Sequence, residues 1–265
     1  MAQYETLGHY YDALVRDEQA SQDWVDWIES FGPKEDFLEL ACGSGEITER
    51  LALNHKVTAL DLSAAMLEEA RKKDIARQVH FLHQDMRDLS NLGSFDAIGC
   101  FCDSFNYLIE EQEVRDFFRE VHDHLKSGGL FLFDSHGLAR LDEFAQDYEE
   151  TGTFEDGTQV QWIISASEDL IYQDFAFYLP DRTVAEHHLQ RVYAPKKLQE
   201  WLEEAGFEVI DVRGDFGWEP METCEKYFFA CQKKDKPIDL SHDGSTWLEA
   251  GCPNRPQGAS SKGKS

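Results

Sequence analysis

Positive charge is scarce in this chain. Its 265 residues carry 25 Lys+Arg against 52 Asp+Glu, a formal net charge of −27, so the averaged field repels nucleic-acid phosphates and anionic lipid headgroups. No Lys/Arg-rich run with interleaved aromatics occurs before the extreme C-terminus, which weighs further against a nucleic-acid partner. Long apolar runs are missing too. Nothing approaches the roughly 20 residues that span a bilayer, and Met1-Ala2-Gln3-Tyr4-Glu5-Thr6 lacks the charged-then-apolar pattern of a secretory leader. A cytoplasmic protein without a membrane anchor is the expectation. The six cysteines (42, 100, 102, 224, 231 and 252) include no Cys-x-x-Cys pair, so they read as small apolar fillers rather than metal ligands. His122 and His124 lie two apart on a predicted helix and face different ways, and His80 and His83 flank a strand end. No metal site is expected.

Against these absences stands a regular alternation of apolar strands and amphipathic helices from Phe37 to Asp134, the pattern of a parallel sheet covered on both faces. Strands are predicted over 37–40, 56–60, 79–82, 95–101 and 130–133. Helices are predicted over 46–53, 64–73, with Ser63 as N-cap, and 111–125, the last ending at Ser127-Gly128-Gly129. Upstream, Trp24, Trp27, Ile28 and Phe31 recur at three and four residues and mark an apolar helix face. Downstream, Val160 to Ser165 and Ile171 to Tyr178 alternate with period two, as antiparallel strands inserted as a small flap would. A helix over 195–205, a strand over 207–212 and a final antiparallel edge strand over 227–232 complete the pattern. The fold class is therefore α/β: a doubly wound, mostly parallel seven-stranded sheet with an inserted antiparallel flap at about 150–193. The expected organisation is an N-terminal helical cap (1–35), the main domain (36–235) and a disordered tail (236–265) rich in Pro, Gly and Ser.

The first strand runs into Glu39-Leu40-Ala41-Cys42-Gly43-Ser44-Gly45, a small-residue turn where backbone can approach a ligand closely ahead of a helix N-terminus. Counting from Gly43, the dinucleotide fingerprint lacks its third glycine and Glu46 would face a pyrophosphate; no Gly-Lys-Ser/Thr follows a strand either. A cofactor without phosphates fits better. The segment resembles the first motif of class I S-adenosylmethionine-dependent methyltransferases, with Ala41 in place of the first glycine. This resemblance is strong over 37–134. It implies that the backbone from Ala41 through Cys42 and Gly43 to Gly45 passes under the methionine portion of S-adenosylmethionine, and that Glu39 belongs to the same motif. It also implies that Asp61 accepts the ribose hydroxyls, that Leu62 and Met66 flank the adenine, that Asp85 accepts the adenine amino group beside Met86, and that Cys102 lies near the reactive methyl. Tyr10-Tyr11-Asp12 resembles a segment that folds over the cofactor in small bacterial members, which adds Tyr11.

A sulfonium methyl is already activated, so such an enzyme chiefly holds a nucleophile in line, and orientation supplies roughly 7–11 kcal/mol. If the nucleophile arrives protonated, the candidates near strand ends are Asp103, Asn106, Asp134 and His136, with His187, His188, Arg191 and Tyr193 leaving the flap. His136 is the best base by type, and Asn106 stands beside it as the second catalytic candidate. The Asn/Asp-Pro-Pro-Tyr/Phe loop of nucleobase-amine methyltransferases is replaced by Asp103-Ser104-Phe105-Asn106-Tyr107, so the expected acceptor is a small molecule. Seven acidic and no basic side chains between 141 and 160 favour a cationic one, with a solvated acidic face as the ordinary alternative. A protein or RNA acceptor, a non-catalytic cofactor binder and, more weakly, a nicotinamide-dependent dehydrogenase stay open at this point.

Overall fold

The computed structural model describes residues 4–32, 34–73, 77–217 and 219–234; the tail expected to be disordered and Cys252 lie outside the described residues. Two helices, α1 (Leu7–Val15) and α2 (Glu18–Glu29), precede β1 (Asp36–Leu40), α3 (Glu46–Leu51), β2 (Lys56–Asp61), α4 (Ala64–Ala70), β3 (His80–His83), β4 (Phe95–Cys100), α5 (Glu111–Asp123) and β5 (Leu125–His136). After a short α6 (Ala139–Glu143) come β6 (Tyr148–Thr153), β7 (Gln159–Ser167), β8 (Leu170–Tyr178) and β9 (Thr183–Arg191), then α7 (Pro195–Ala205), β10 (Phe207–Gly214) and β11 (Lys226–Lys233). Both sheets and all the described helices fall in one compact unit.

The main sheet runs β10-β11-β5-β4-β1-β2-β3. Pairings from β3 to β5 are parallel, and β11 is antiparallel to both β5 and β10. The strand order reverses between β1 and β4, where open α/β sheets leave a crevice at the carboxyl ends. One face is filled by Phe105, Phe117, Phe118, Phe131 and Phe133, and the other by Trp24, Trp27, Phe37, Phe101 and Phe228. The two tryptophans are core residues, as their spacing indicates.

Two expectations change. The final strand β11 is interior, not an edge: Tyr227 to Cys231 are all buried, whereas β10 alternates as a sheet margin does. Helix α5 stops at Asp123, and Gly128 and Gly129 lie inside the longer β5 rather than capping the helix. A Cβ on Gly129 would sit 2.9 Å from the Lys126 carbonyl and 3.1 Å from that of Asp96, so its glycine permits close backbone approach instead. The expected antiparallel flap is present as a separate four-stranded sheet, β6-β7-β8-β9, of which the sequence pattern marks β7 and β8. Strand β6 is exposed throughout, and β9 buries Glu186, His188 and Gln190 where apolar residues are expected. Neither carries the apolar alternation that marks β7 and β8 in the sequence.

Candidate active site

The carboxyl ends of β1, β2, β4 and β5 open on one cavity of about 660 Å³, roofed by α1, α2 and the flap. Its floor begins with the turn after β1. Ala41, Gly43 and Gly45 have φ of 50°, 54° and 81°, left-handed backbone that turns the chain sharply into α3. For Ala41 this conformation costs roughly 1–2 kcal/mol. Gly43 has no heavy atom within 4 Å of where a Cβ would stand, and it lines the cavity. Gly45 does not: it backs onto Ala70, whose Cβ is 3.1 Å from that position.

Asp61 ends β2 and is 8% exposed. One carboxylate oxygen accepts the Gly43 N–H at 2.8 Å and the other the Ser63 N–H at 2.7 Å, so the turn and the start of α4 are tied to one side chain. Burial raises its pKa, opposed by those backbone donors. Met66 is buried beneath and Leu62 stands exposed at the mouth. Asp85 lines the cavity with Met86, but its carboxylate is held by the Arg87 guanidinium and backbone N–H, so any adenine contact is shared with that pair. Cys102 and Tyr11 also line the cavity. Asp and Glu outnumber Lys and Arg seven to four along its walls, which suits a cationic ligand. The structure thus brings Gly43, Asp61 and Asp85 to one crevice, and the residues present fit an adenosine-bearing sulfonium.

Beneath the turn, Glu39 is 2% exposed and accepts the Thr48 hydroxyl at 2.6 Å; burial pushes its pKa from an ordinary 4.5 up to about 8. The folded state therefore holds a proton that the unfolded chain releases, and Glu39 makes stability fall as pH rises from about 4.5 to about 8. Urea midpoints at pH 5 and pH 8 should differ less in Glu39→Gln than in the wild-type protein; an unchanged difference would contradict the assignment.

Helix α1 is clasped to the flap from a distance. Thr6 makes no side-chain cap; instead Glu186 on β9 accepts the Thr6 and Leu7 N–H groups at 2.5 and 3.0 Å. The other Glu186 oxygen lies 3.6 Å from Nε2 of His188, whose Nδ1 meets the Tyr107 hydroxyl, itself bonded to Tyr4. Tyr10 stacks on Phe154 at 4.3 Å. The loop of contacts closes the roof over the cofactor crevice. Glu186→Gln removes a charged acceptor worth roughly 1.5–3 kcal/mol, and amide exchange across 7–15 should quicken by tenfold or more.

The two catalytic candidates are both committed to the protein. Asn106 is fully buried and does not line the cavity: its amide donates to Ser135 Oγ and the Arg191 carbonyl and accepts the His136 N–H. It is a strut between β5, β9 and the 3₁₀ turn Ser104–Tyr107. His136 reaches the cavity wall but is 4% exposed. Gln190 donates to the Asp103 carbonyl, which turns its amide oxygen toward His136 Nε2 at 3.0 Å and Gln173 Nε2 at 2.7 Å. Nε2 therefore carries a proton toward Gln190, and Nδ1 faces Asp103 Oδ1 at 3.3 Å. Burial lowers the imidazole pKa, with Asp103 pulling the other way. His187, His188, Arg191 and Tyr193 lie outside the cavity lining.

Residues that the sequence did not single out complete this wall. Lys226, at the start of β11 opposite His136 in the sheet register, is ion-paired with Asp103 and Asp134. Burial resists ionisation of Asp103, yet His136 and Lys226 hold its pKa well below the carboxylate range; fully buried Asp134 is pushed up to about 7. Cys102 and Asp103 are left-handed, with φ of 56° and 62°, strain of the kind that gathers at functional sites. On the flap side, alternate residues of β7 (Trp162, Ile164) and β8 (Ile171, Gln173, Phe175) face the cavity. The seven acidic side chains between 141 and 160 are all exposed and absent from its lining, so they form a solvated face, not a substrate wall.

A family model described as a methyltransferase domain matches residues 37–129. The protein named "Putative methyltransferase GWCH70_2453" of Geobacillus sp. (strain WCH70) is 35% identical over 87% of this chain and 99% of its own length. The chain belongs to the class I S-adenosylmethionine-dependent methyltransferases. YqeM of Bacillus subtilis (strain 168), which carries the same description, is 35% identical over 87% of this chain and 97% of its own. Among solved structures, an S-adenosylmethionine-dependent methyltransferase from Clostridium acetobutylicum ATCC 824 superposes with a TM-score of 0.74 at 26% identity, covering 88% of this chain and 99% of that one. The cofactor of this methyltransferase is S-adenosylmethionine, which supplies an electrophilic sulfonium methyl when bound. Among the described residues, no helix is long and apolar enough to cross a membrane.

Proposed function

We propose that the protein methylates the nitrogen of a small-molecule amine, with the cofactor held by the β1 turn, Asp61 and Asp85 and the acceptor enclosed under the flap. The observation that carries this reading is the single cavity, in which the cofactor crevice continues beneath β7, β8 and α1 into a chamber walled by Phe144, Trp162, Ile164, Ile171 and Phe175. A chamber roofed on the far side by a clasped helix takes a small ligand more readily than a folded protein surface or an RNA strand. Nitrogen is favoured over oxygen by what the walls offer. An amine in its neutral form carries a nucleophilic lone pair, whereas an alkyl hydroxyl needs a base, and Asp103 and His136 are both engaged with protein partners.

Two relatives matched over most of their length support the same class. The cypemycin N-terminal methyltransferase of Streptomyces sp is 26% identical over 82% of this chain, and the glycine/sarcosine N-methyltransferase of Aphanothece halophytica 26% over 85%. The chain's own residues have two tasks: to exclude water, through the apolar chamber and the α1–flap clasp, and to orient the amine toward the strand ends. Incubation with methyl-labelled cofactor and a metabolite extract, followed by mass spectrometry, should give an N-methylated small molecule. An O-methyl product, or label appearing only on protein or RNA, would contradict the assignment.

A further inference from the structure

We propose that the acceptor carries a carboxylate, received by Arg140, while its apolar body lies against Phe144 and the flap; this rests on the amine reading above. Arg140 is one of two cations on the acceptor side of the cavity, beside Lys226, and the two differ in what they have left to give. Lys226 is neutralised by Asp103 and Asp134 together. Arg140 is held by one nitrogen alone: Nη1 lies 2.7 Å from Glu143 and 3.6 Å from Glu225, both largely exposed partners at 48% and 65%. Its Nε and Nη2 have no partner among the described residues.

The guanidinium is also placed. Arg140 Cζ sits 4.4 Å from the centroid of the buried Phe144 ring, a cation–π contact that restricts the fork, and the side chain is only 20% exposed. Its charge is felt at Asp103 and at His136, so it stands within electrostatic reach of the left-handed turn after β4. Around it the chamber is apolar: Phe144, Ile164 and Ile171 form one buried cluster with Trp162 against it. Trp162 lines the cavity, and its indole N–H is buried with no acceptor among the described residues, a condition that bound ligands commonly relieve. A planar fork with open N–H groups in an apolar wall matches a carboxylate. A phosphate dianion fits less well, since Arg140 offers one positive charge and the cavity as a whole is lined by excess acid.

The chemistry asked of the site is positional. With the carboxylate on Arg140, the amine end of the same molecule projects toward Asp103 and the crevice of the cofactor. The nitrogen lone pair forms the new N–C bond as the S–CH₃ bond breaks, the sulfonium becomes a neutral thioether, and the amine proton leaves to solvent.

Phenylacetate is the probe, with benzylamine and phenyl phosphate as comparison arms, each titrated by calorimetry into the full-length protein saturated with S-adenosylhomocysteine. Phenylacetate should bind saturably and at least tenfold more tightly than either of the others. Arg140→Met should lose that binding by tenfold or more with cofactor affinity unchanged, and Arg140→Lys should recover part of it, since charge remains but the fork does not. Absence of phenylacetate binding, equal binding of benzylamine, preference for phenyl phosphate, or an Arg140→Met protein that binds as the wild type does would each overturn the proposal. Because these titrations need no turnover, they separate from the amine reading: a site that passes them while the metabolite extract yields an O-methyl product leaves the carboxylate pocket standing and the amine assignment refuted.

Discussion

Lys226→Met should unfold at a temperature lower by on the order of 10 °C. The ammonium is the cation between Asp103 and Asp134, and removing one partner of a buried ion pair typically costs roughly 3–5 kcal/mol, because a charge is left without compensation. Spread over a domain of this size, each kcal/mol corresponds to about 2–4 °C. The loss is not simply that of a contact, since Asp134 is fully buried and its pKa already stands raised to about 7. Without Lys226 the group takes up a proton more readily, so the variant should be less impaired at pH 6 than at pH 8. Adding Asp103→Asn to Lys226→Met should recover part of the loss, a coupling that a double-mutant cycle reads directly. Thermal melts of the four proteins at both pH values check this, and equal melting temperatures for wild type and Lys226→Met would contradict it.

Asp61→Ala should weaken S-adenosylmethionine by about tenfold to a hundredfold. A hydrogen bond to a charged group contributes roughly 1.5–3 kcal/mol, and each 1.4 kcal/mol is about tenfold. The carboxylate also fixes the Gly43 and Ser63 N–H groups, so the variant loosens the turn as well as removing the ribose acceptor that the family resemblance implies. Asp61→Asn separates the two effects: it keeps an acceptor for one backbone N–H and removes the charge. Its affinity should fall between the wild type and Asp61→Ala. Calorimetric affinities for the three proteins, with circular dichroism to establish that each is folded, give the comparison; an Asp61→Ala protein that titrates like the wild type would refute the role.

That Gly43, Asp61 and Asp85 share one crevice was legible because each position is local. Phe37 to Gly45 is a continuous strand-turn segment, and Asp61 and Asp85 follow at successive strand ends, so each position is read from its own neighbours. The acceptor half is assembled from residues far apart in sequence. Lys226 meets Asp103 across 123 positions and Arg191 meets Asn106 across 85, and no spacing rule encodes such a pair. His136 was visible as a strand-end histidine, but its bond to Gln190 depends on the flap folding back over β5 and its approach to Asp103 on the turn after β4. Asn106 likewise was visible as a polar residue after β4, but that its amide is taken up by β5 and β9 no spacing encodes.

The fold shows a parallel division. Parallel strands buried on both faces read as apolar runs, and the boundaries of β1, β2 and β4 fall within a residue of those expected. Strand β9 escaped because Glu186, His188 and Gln190 occupy its buried face, each there to bond another element rather than to fill a core. Strand β6 escaped for the opposite reason, since every one of its residues is exposed.

The account stands most directly on whether the wild-type protein binds its cofactor at the crevice shared by Gly43, Asp61 and Asp85. Calorimetric titration with S-adenosylmethionine, S-adenosylhomocysteine and NAD should show saturable one-to-one binding of the first two and none of the third; no heat with either sulfur compound, or saturable heat with NAD, would contradict it.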